Sequence, residues 1–385
     1  LRVAKSGAWW ETNPERALAN NSVAYTEKPD AGIFMKEWLA LYESKSGERG
    51  IFNRKSAQEK ARENGRRNAD WDFGTNPCSE IILRPNQFCN LTEVVVRPTD
   101  TEETLHSKIE VATILGTIQA TLTNFGYLRK RWQTNTEEER LLGVSLTGIM
   151  DNSLLSRMRT QLPDVLRKMR NKAVLTNAEW ADKLGIPQST AITCVKPSGT
   201  VSQLVDSASG IHARHNPYYI RTVRGDKKDP LTQFMADQGI PCEDDVMQPN
   251  NSVFSFPMKA DPSAIFRYTM TAIEQLEIWK CYAQHWCEHK PSVTISVKEH
   301  EWINVGNWCW DNFDTLSGIS FLPFSDHTYQ QAPYQDIDEV QYNDLQSKMP
   351  KDIDWSKLQD YETEDNTRGS QELACKAGSC ELVDI

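Results

Sequence analysis

No stretch of this 385-residue sequence reaches eighteen consecutive apolar residues, so no helix is expected to cross a membrane. The opening, LRVAKSGAWWETNPER, lacks a basic segment followed by an apolar core, so no secretory signal is read there. It also lacks an initiator Met and begins in mid-pattern, from which we expect the chain to continue something upstream. Basic excess is missing too. The net charge of -10 argues against wrapping a nucleic-acid polymer. A single nucleotide is not excluded, because a few local donors suffice for a small phosphate. No internal repeat is visible.

Cysteine, by contrast, is plentiful. Nine cysteines in a long chain without a secretory signal point to reduced thiols and a cytoplasmic location. Apolar residues make up 39% of the chain, enough for a packed core. The length leaves room for two domains or one large α/β barrel.

Helical spacing runs through 14–45 (MKEWLALYES) and closes at SGERG. QFCNLTEVVV reads as a buried strand, and a long helix over 102–132 opens at Thr101 with acids in its first turn. GVSLTGIMD is a short apolar run. A helix near 162–184 leads through Gly185 and Pro187 into the strand ITCV, which ends in KPSGTVSQL, read as a strand–turn–helix junction. Residues 261–289 carry helical spacing, and SVTISVK and ISFLPF read as strands. Strands separated by long helices imply parallel β-α units. From residue 351 the periodicity fades and nine acids face four bases, which reads as a mobile tail.

The chemistry concentrates in TNPCSEIILRPNQFCNLTEVVV, residues 75–96. Cys78 stands between Asn76 and Glu80, with Pro77 stiffening the approach. That turn is poor core design, because Asn and Glu are seldom buried without partners. It is either a surface turn with an incidental cysteine, or a thiol at a loop tip with a carboxylate to act as base and an amide to orient hydroxyls. On a strand, Cys89 shares a face with Leu91 and Glu93 and can point towards the same place.

NPCSEI followed by a strand cysteine eleven positions on resembles the finger loop and next barrel strand of the ribonucleotide reductases, most closely the monomeric adenosylcobalamin-dependent (class II) ribonucleoside-triphosphate reductases. LANNSVAYT, SGERGIFNR, KPSGTVSQLVDSASGIHA, NPYYIRTVR, PSVTISVKE and SFLPFSDHTYQQAPY resemble the same family, in the same order. The resemblance covers essentially the whole chain, but only the family's C-terminal half.

It implies an α/β fold: a ten-stranded α/β barrel with a central finger loop, of which this chain supplies the second half. Residues 1–70 would close the first half-barrel and carry connecting helices. Residues 71–350 would hold the finger loop, the second half-barrel and the cobalamin-contacting segments, and 351–385 a flexible redox tail. Cys78 would become the thiyl radical that takes the ribose 3′-hydrogen, Glu80 would accept the 3′-hydroxyl proton, and Asn76 would bond the substrate hydroxyls. Cys89 would belong to the redox pair that drives loss of the 2′-hydroxyl as water. Ser198, Gly199 and Thr200 would hold the substrate phosphates. Cys375 and Cys380 of CKAGSC would shuttle electrons from a thioredoxin-type partner by thiol–disulfide exchange. Adenosylcobalamin would lie against stretches near 220–280 and 329–368. The substrate would be a ribonucleoside triphosphate.

The partner of Cys89 and the effector-binding segments belong, in the family, to a part upstream of this sequence, so a complementary N-terminal half is expected as a partner. Two other readings compete. The large subunit of a class I reductase shares the loop and the tail pair, but relays its radical through adjacent tyrosines near the tail. The only such pair here, Tyr218 and Tyr219, lies far upstream. A non-catalytic scaffold or thiol–disulfide carrier is the other.

CYAQHWCEH, with Cys281, His285, Cys287 and His289, invites a zinc reading, but the spacing fits no common structural site and no metal ligand is assigned. HARH (212–215) reads as a loop. Cys194, Cys242 and Cys309 read as buried or incidental.

Overall fold

A computed structural model describes residue 13 and residues 22–45, 50–324 and 330–362. Twelve strands are described. In the first part of the chain lie β1 (Ser22–Tyr25), β2 (Gly50–Asn53), β3 (Gly74–Thr75), β4 (Ile82–Leu83), β5 (Asn90–Val95) and β6 (Leu142–Thr147). Then come β7 (Tyr218–Asp226), β8 (Cys242–Asp244), β9 (Asn251–Lys259), β10 (Val293–Val297), β11 (Ile319–Pro323) and β12 (Tyr334–Asp336). The chain divides into two compact units, one containing 22–213 and 263–324 and the other 214–262 and 330–362.

The first unit is built on a series of mostly parallel strands. β5 pairs with β6 in parallel, Val144 of β6 bridges Thr193, and Val195 bridges Pro291 just before β10, which pairs in parallel with β11. β11 then meets β2 antiparallel through Ile319 and Ile51, and β2 pairs in parallel with β1. Five strand positions thus run one way and two the other. The ITCV segment makes single bridges on each side where a full strand was expected.

Alternation along these strands sorts the side chains. Val94, Val96, Leu142, Val144 and Leu146 enter the core, covered by the helices Glu102–Gln119 and Leu162–Leu184. Gly116 on the first of these brings helix and strand close, since a Cβ there would lie 3.1 Å from Leu142 Cδ2. On the opposite face of the sheet, Leu91, Glu93 and Val95 pair with Gly143, Ser145 and Thr147, a mixed set in which three of the six are polar. QFCNLTEVVV is therefore a half-buried strand, not the fully buried one expected. Among the described residues β5 pairs on one side only, and the covering helix leaves Val111, Leu115 and Ile118 exposed.

Helix signals were mostly readable. Thr101 caps Glu102–Gln119 as expected, accepting from Thr104 N while Thr104 Oγ1 accepts from Thr101 N at 2.9 Å. The helix expected over 102–132 is nevertheless broken, and a second one runs Lys130–Glu139. Thr121 Oγ1 turns back to Ile118 O, Thr123 Oγ1 bonds Glu137, and Arg140 Nη1 donates to Ala120 O, so local polar partners outcompete helix propagation. The helix expected over 261–289 shrinks to Ala272–His285, opened by a Thr271–Glu274 capping box. Leu162–Leu184 matches its expected span.

The second unit is an antiparallel sheet in the order β12-β7-β9-β8, with nine-residue pairing from Tyr218 opposite Lys259 to Asp226 opposite Asn251. These strands were not anticipated. The helix Pro230–Asp237 buries Phe234, on which Trp355 and Tyr361 pack at 5.3 and 5.5 Å. Residues 355–360, expected to be tail, form a packed 3₁₀ turn. No described helix is long and apolar enough to cross a membrane.

Gly148, which follows β6, has φ +81° and its Cβ would lie 2.3 Å from Val96 O, a backbone atom that cannot step aside. Gly148→Ala should cost about 2 kcal/mol or more, read as a lowered urea midpoint with unchanged slope.

Candidate active site

Residues 76–81 form a tight loop between β3 and β4, where Thr75 pairs with Ile82. Asn76 O accepts from Ser79 N at 3.0 Å, which makes Asn76–Ser79 a β-turn with Pro77 at its second position and Cys78 at its third. Asn76 works twice within the loop: Oδ1 accepts from Ile81 N at 3.0 Å and Nδ2 donates to Glu80 Oε1 at 2.8 Å. Thr75 Oγ1 closes the base by donating to Ile81 O. The resulting tip carries a half-buried Cys78.

Neighbouring elements hold the loop from below. Lys290 N donates to Glu80 O at 2.9 Å, and Ile82 N donates to His289 Nδ1 at 3.3 Å. Gly318 comes so close that a Cβ would lie 2.8 Å from Ser79 O, and its own φ is +73°. His289 is fully buried, and its Nε2 bonds Leu142 O at 3.0 Å. Burial, with help from the Arg67 charge, pushes its pKa down to about 3. The ring is therefore neutral, donating from Nε2 and accepting at Nδ1. With both ring nitrogens so engaged it cannot also be a zinc ligand, and no metal-ligating cluster occurs among the described residues.

Glu80 is wholly buried. Its Oε1 accepts from Asn76 and also from Lys196 Nζ at 2.9 Å, while Oε2 is buried and meets no donor. Burial works against the Lys196 ammonium, but the Glu80 carboxylate outweighs it and raises its pKa; the Cys194 and Cys78 thiols act in the same direction. Cys89, half-buried at the start of β5, has its thiol pushed up by burial and then by the Glu80 charge, against Arg67 and Lys196. Burial likewise raises the Glu93 carboxyl, opposed by the nearby Ser198 and Thr147 hydroxyls and by Lys196. Asn76 and Lys196 thus meet on one oxygen of Glu80, and the Cys78 and Cys89 thiols are close enough to interact electrostatically with the Lys196 ammonium.

Lys196 was quoted in KPSGT but given no role. Its sign was available: a lysine directly after an apolar strand has to find an acidic partner or leave the core. Cys194 and Cys309 are buried as read, whereas Cys242 is exposed. The KPSGT junction differs from expectation, because its helix is the single turn Val201–Leu204. Left-handed backbone there falls on Ser198 (φ 55°), whose Oγ is buried without a full hydrogen bond. Cys375 and Cys380 lie outside the described residues.

No protein-family model matches the chain. Among curated proteins, the adenosylcobalamin-dependent ribonucleoside-triphosphate reductase of Lactobacillus delbrueckii subsp. bulgaricus is 26% identical over 407 residues, covering 95% of this chain and 53% of that protein. The enzyme of the same description from Lacticaseibacillus paracasei is 28% identical, with coverage of 85% and 47%. Over most of its length the chain is similar to adenosylcobalamin-dependent ribonucleoside-triphosphate reductases. It spans about half the length of the curated relatives it matches. A crystal structure of a B12-dependent (class II) ribonucleotide reductase superposes with a TM-score of 0.74 at 23% identity, over 92% of this chain and 54% of that one, and shares its α/β fold. The Actinobacillus ureae class Id ribonucleotide reductase alpha subunit is more distant in fold, with a TM-score of 0.52 at 14% identity over 80% of this chain and 65% of that one.

Beside the loop, Lys290 is buried, its ammonium having among the described residues only Ser56 Oγ (2.7 Å) and Thr315 O (3.4 Å) as partners, near Lys60, Glu63, Glu59 and Cys287. Burial and then the Lys60 charge lower its pKa to about 7. Between pH 7 and about 10 the unfolded chain binds a proton that the folded one has released, so stability climbs with pH across that window. Below 7 the full cost of burying the charge is present. Lys290→Met should therefore be the more stable protein at pH 7, and its advantage should shrink towards pH 10. Parallel curves of urea midpoint against pH would contradict this.

Proposed function

We propose that the chain is the catalytic part of an adenosylcobalamin-dependent ribonucleotide reductase, acting on ribonucleoside triphosphates to make deoxyribonucleotides for DNA synthesis. One observation carries the reading: a half-buried thiol at a turn tip, two residues from a wholly buried carboxylate with a free oxygen, and a second thiol, Cys89, that feels the charge of that carboxylate. A core has no use for that arrangement. A reaction that must bring hydrogen-atom abstraction, proton transfer and reduction to one ribose does.

Adenosylcobalamin, when bound, supplies the radical that removes the Cys78 hydrogen. An apolar, aromatic wall would suit the face of its ring. Both stretches expected to contact it, 220–280 and 329–368, contribute most of their described residues to the second unit. There His215 stacks on Tyr334 at 5.1 Å, Arg221 covers the same ring, and Val223, Val246 and Met247 are exposed; these residues fit the role of holding the group.

Within the chain, Cys78 takes the 3′-hydrogen of the ribose and later returns it. Glu80 accepts the 3′-hydroxyl proton, and the remaining Nδ2 hydrogen of Asn76 is available to a substrate hydroxyl. As the 2′-hydroxyl leaves as water, two thiols supply two electrons and two protons and become a disulfide; Cys89 is one of them. Ser198, Gly199 and Thr200 hold the phosphates. Cys375 and Cys380 reduce that disulfide and are themselves reduced by a thioredoxin-type protein, in a cytoplasm that keeps thiols reduced.

The five parallel strand positions that meet β2 and β1 antiparallel are what one half of a ten-stranded barrel and the margin of the other would supply. The open side of β5 and the missing partner of Cys89 then fall to a complementary N-terminal half.

The chain alone, given adenosylcobalamin, a ribonucleoside triphosphate and a dithiol, should show no sustained turnover, while addition of that half should restore it. Robust turnover by the chain alone would refute the incompleteness. In the restored assembly Cys78→Ser should lower deoxyribonucleotide formation by several orders of magnitude and abolish the coupled cob(II)alamin–thiyl signal; unchanged product formation would favour a non-catalytic role.

A further inference from the structure

The two oxygens of Glu80 have unlike surroundings. Oε1 receives both available donors, Asn76 Nδ2 at 2.8 Å and Lys196 Nζ at 2.9 Å, whereas Oε2 is buried and receives none. A carboxylate held so is fixed along one edge and open along the other. Lys196 lies 116 positions away in sequence and is itself well placed: its N–H donates to Ser145 Oγ at 2.8 Å, and its side chain is 27% exposed. Among the described residues its Nζ has no acceptor besides Glu80.

We propose that Lys196 is the positioning residue that makes Glu80 the base, its ammonium holding Oε1 so that Oε2 alone meets the substrate hydroxyl. This rests on the reductase reading of the site. In the step concerned the 3′-O–H bond breaks, a new O–H bond forms at Glu80 Oε2, and the bonding pair stays on the ribose oxygen; no electrons are exchanged. Because the Lys196 ammonium remains on Oε1, the neutral acid that results sits beside a cation and readily returns its proton. The ammonium also begins the KPSGT segment, so the group that orients the base moves with the segment assigned to the phosphates.

Two measurements test this. In the isolated chain, the Glu80 carboxyl is titrated by infrared difference between each protein and its Glu80→Gln variant. The midpoint should be higher by about one pH unit or more in Lys196→Met and close to the original in Lys196→Arg. A midpoint unmoved in Lys196→Met overturns the proposal, whatever the chain's reaction. In the assembly with the complementary half, Lys196→Met should lower turnover about ten- to a hundredfold and move the acid limb of the rate profile to higher pH, with substrate affinity within about threefold and Lys196→Arg largely restoring rate. Lost turnover with a lower melting temperature and an unmoved acid limb would mark a merely structural ion pair and also overturn it. If the unsubstituted assembly reduces no nucleotide, the reductase reading fails, and the infrared titration still decides whether Lys196 sets the ionisation of Glu80.

Discussion

The architecture around the loop depends on the compensation of one buried charge. A carboxylate with no exposed surface costs several kcal/mol unless donors replace its lost water. Glu80 finds them in Asn76, four residues back in the same turn, and in Lys196, from the far end of a segment in the strand series. Its main-chain carbonyl is held in addition by Lys290 N. Two stretches distant in sequence therefore converge on this one turn, and the tip that carries Cys78 inherits their rigidity. The ion pair is weak evidence of stability, since an apolar trio of the same volume could pack as well. It is better evidence that a charge is wanted there.

The same economy of design shows in the strands. Alternation sends the aliphatic residues of β5 and β6 under the helices and leaves glycine, serine, threonine and glutamate on the opposite face. Gly143 keeps that face low: a Cβ there would lie 2.4 Å from Leu91 Cδ2 and 3.3 Å from Cys194 Sγ. Polar side chains on this face are tolerated because the apolar face alone suffices to hold the sheet to its helices. His289, neutral and fully enclosed, joins β4 to β6 without adding charge.

Much of this was legible in the sequence. The turn around Cys78, the strand after Cys89, the helix Leu162–Leu184 and the strands at β10 and β11 rest on local signals: turn chemistry, period and caps. The break at 120–129 was not, because its decisive contacts, Thr123 to Glu137 and Arg140 to Ala120, join residues whose proximity exists only once the chain has turned. The antiparallel β7–β9 pair escaped for a related reason: its charged and aromatic residues blur the period-two pattern, and its partners are separated by an intervening helix. The sequence around Lys196 signals a lysine in need of an acid but does not name Glu80, since a contact across 116 positions is not written in either neighbourhood. The zinc-like CYAQHWCEH misleads for the opposite reason, because the helix stops at His285 and its cysteines and His289 take up separate duties in the core.

Among the described residues β5 offers a row of main-chain donors and acceptors on one unpaired side, beside a helix that leaves Val111, Leu115 and Ile118 exposed. An open strand edge of this kind accepts any extended segment that presents itself, including that of an identical molecule. Handled by itself, such a polypeptide has a built-in tendency to recruit its neighbours, and its solubility becomes a question of concentration as much as of folding.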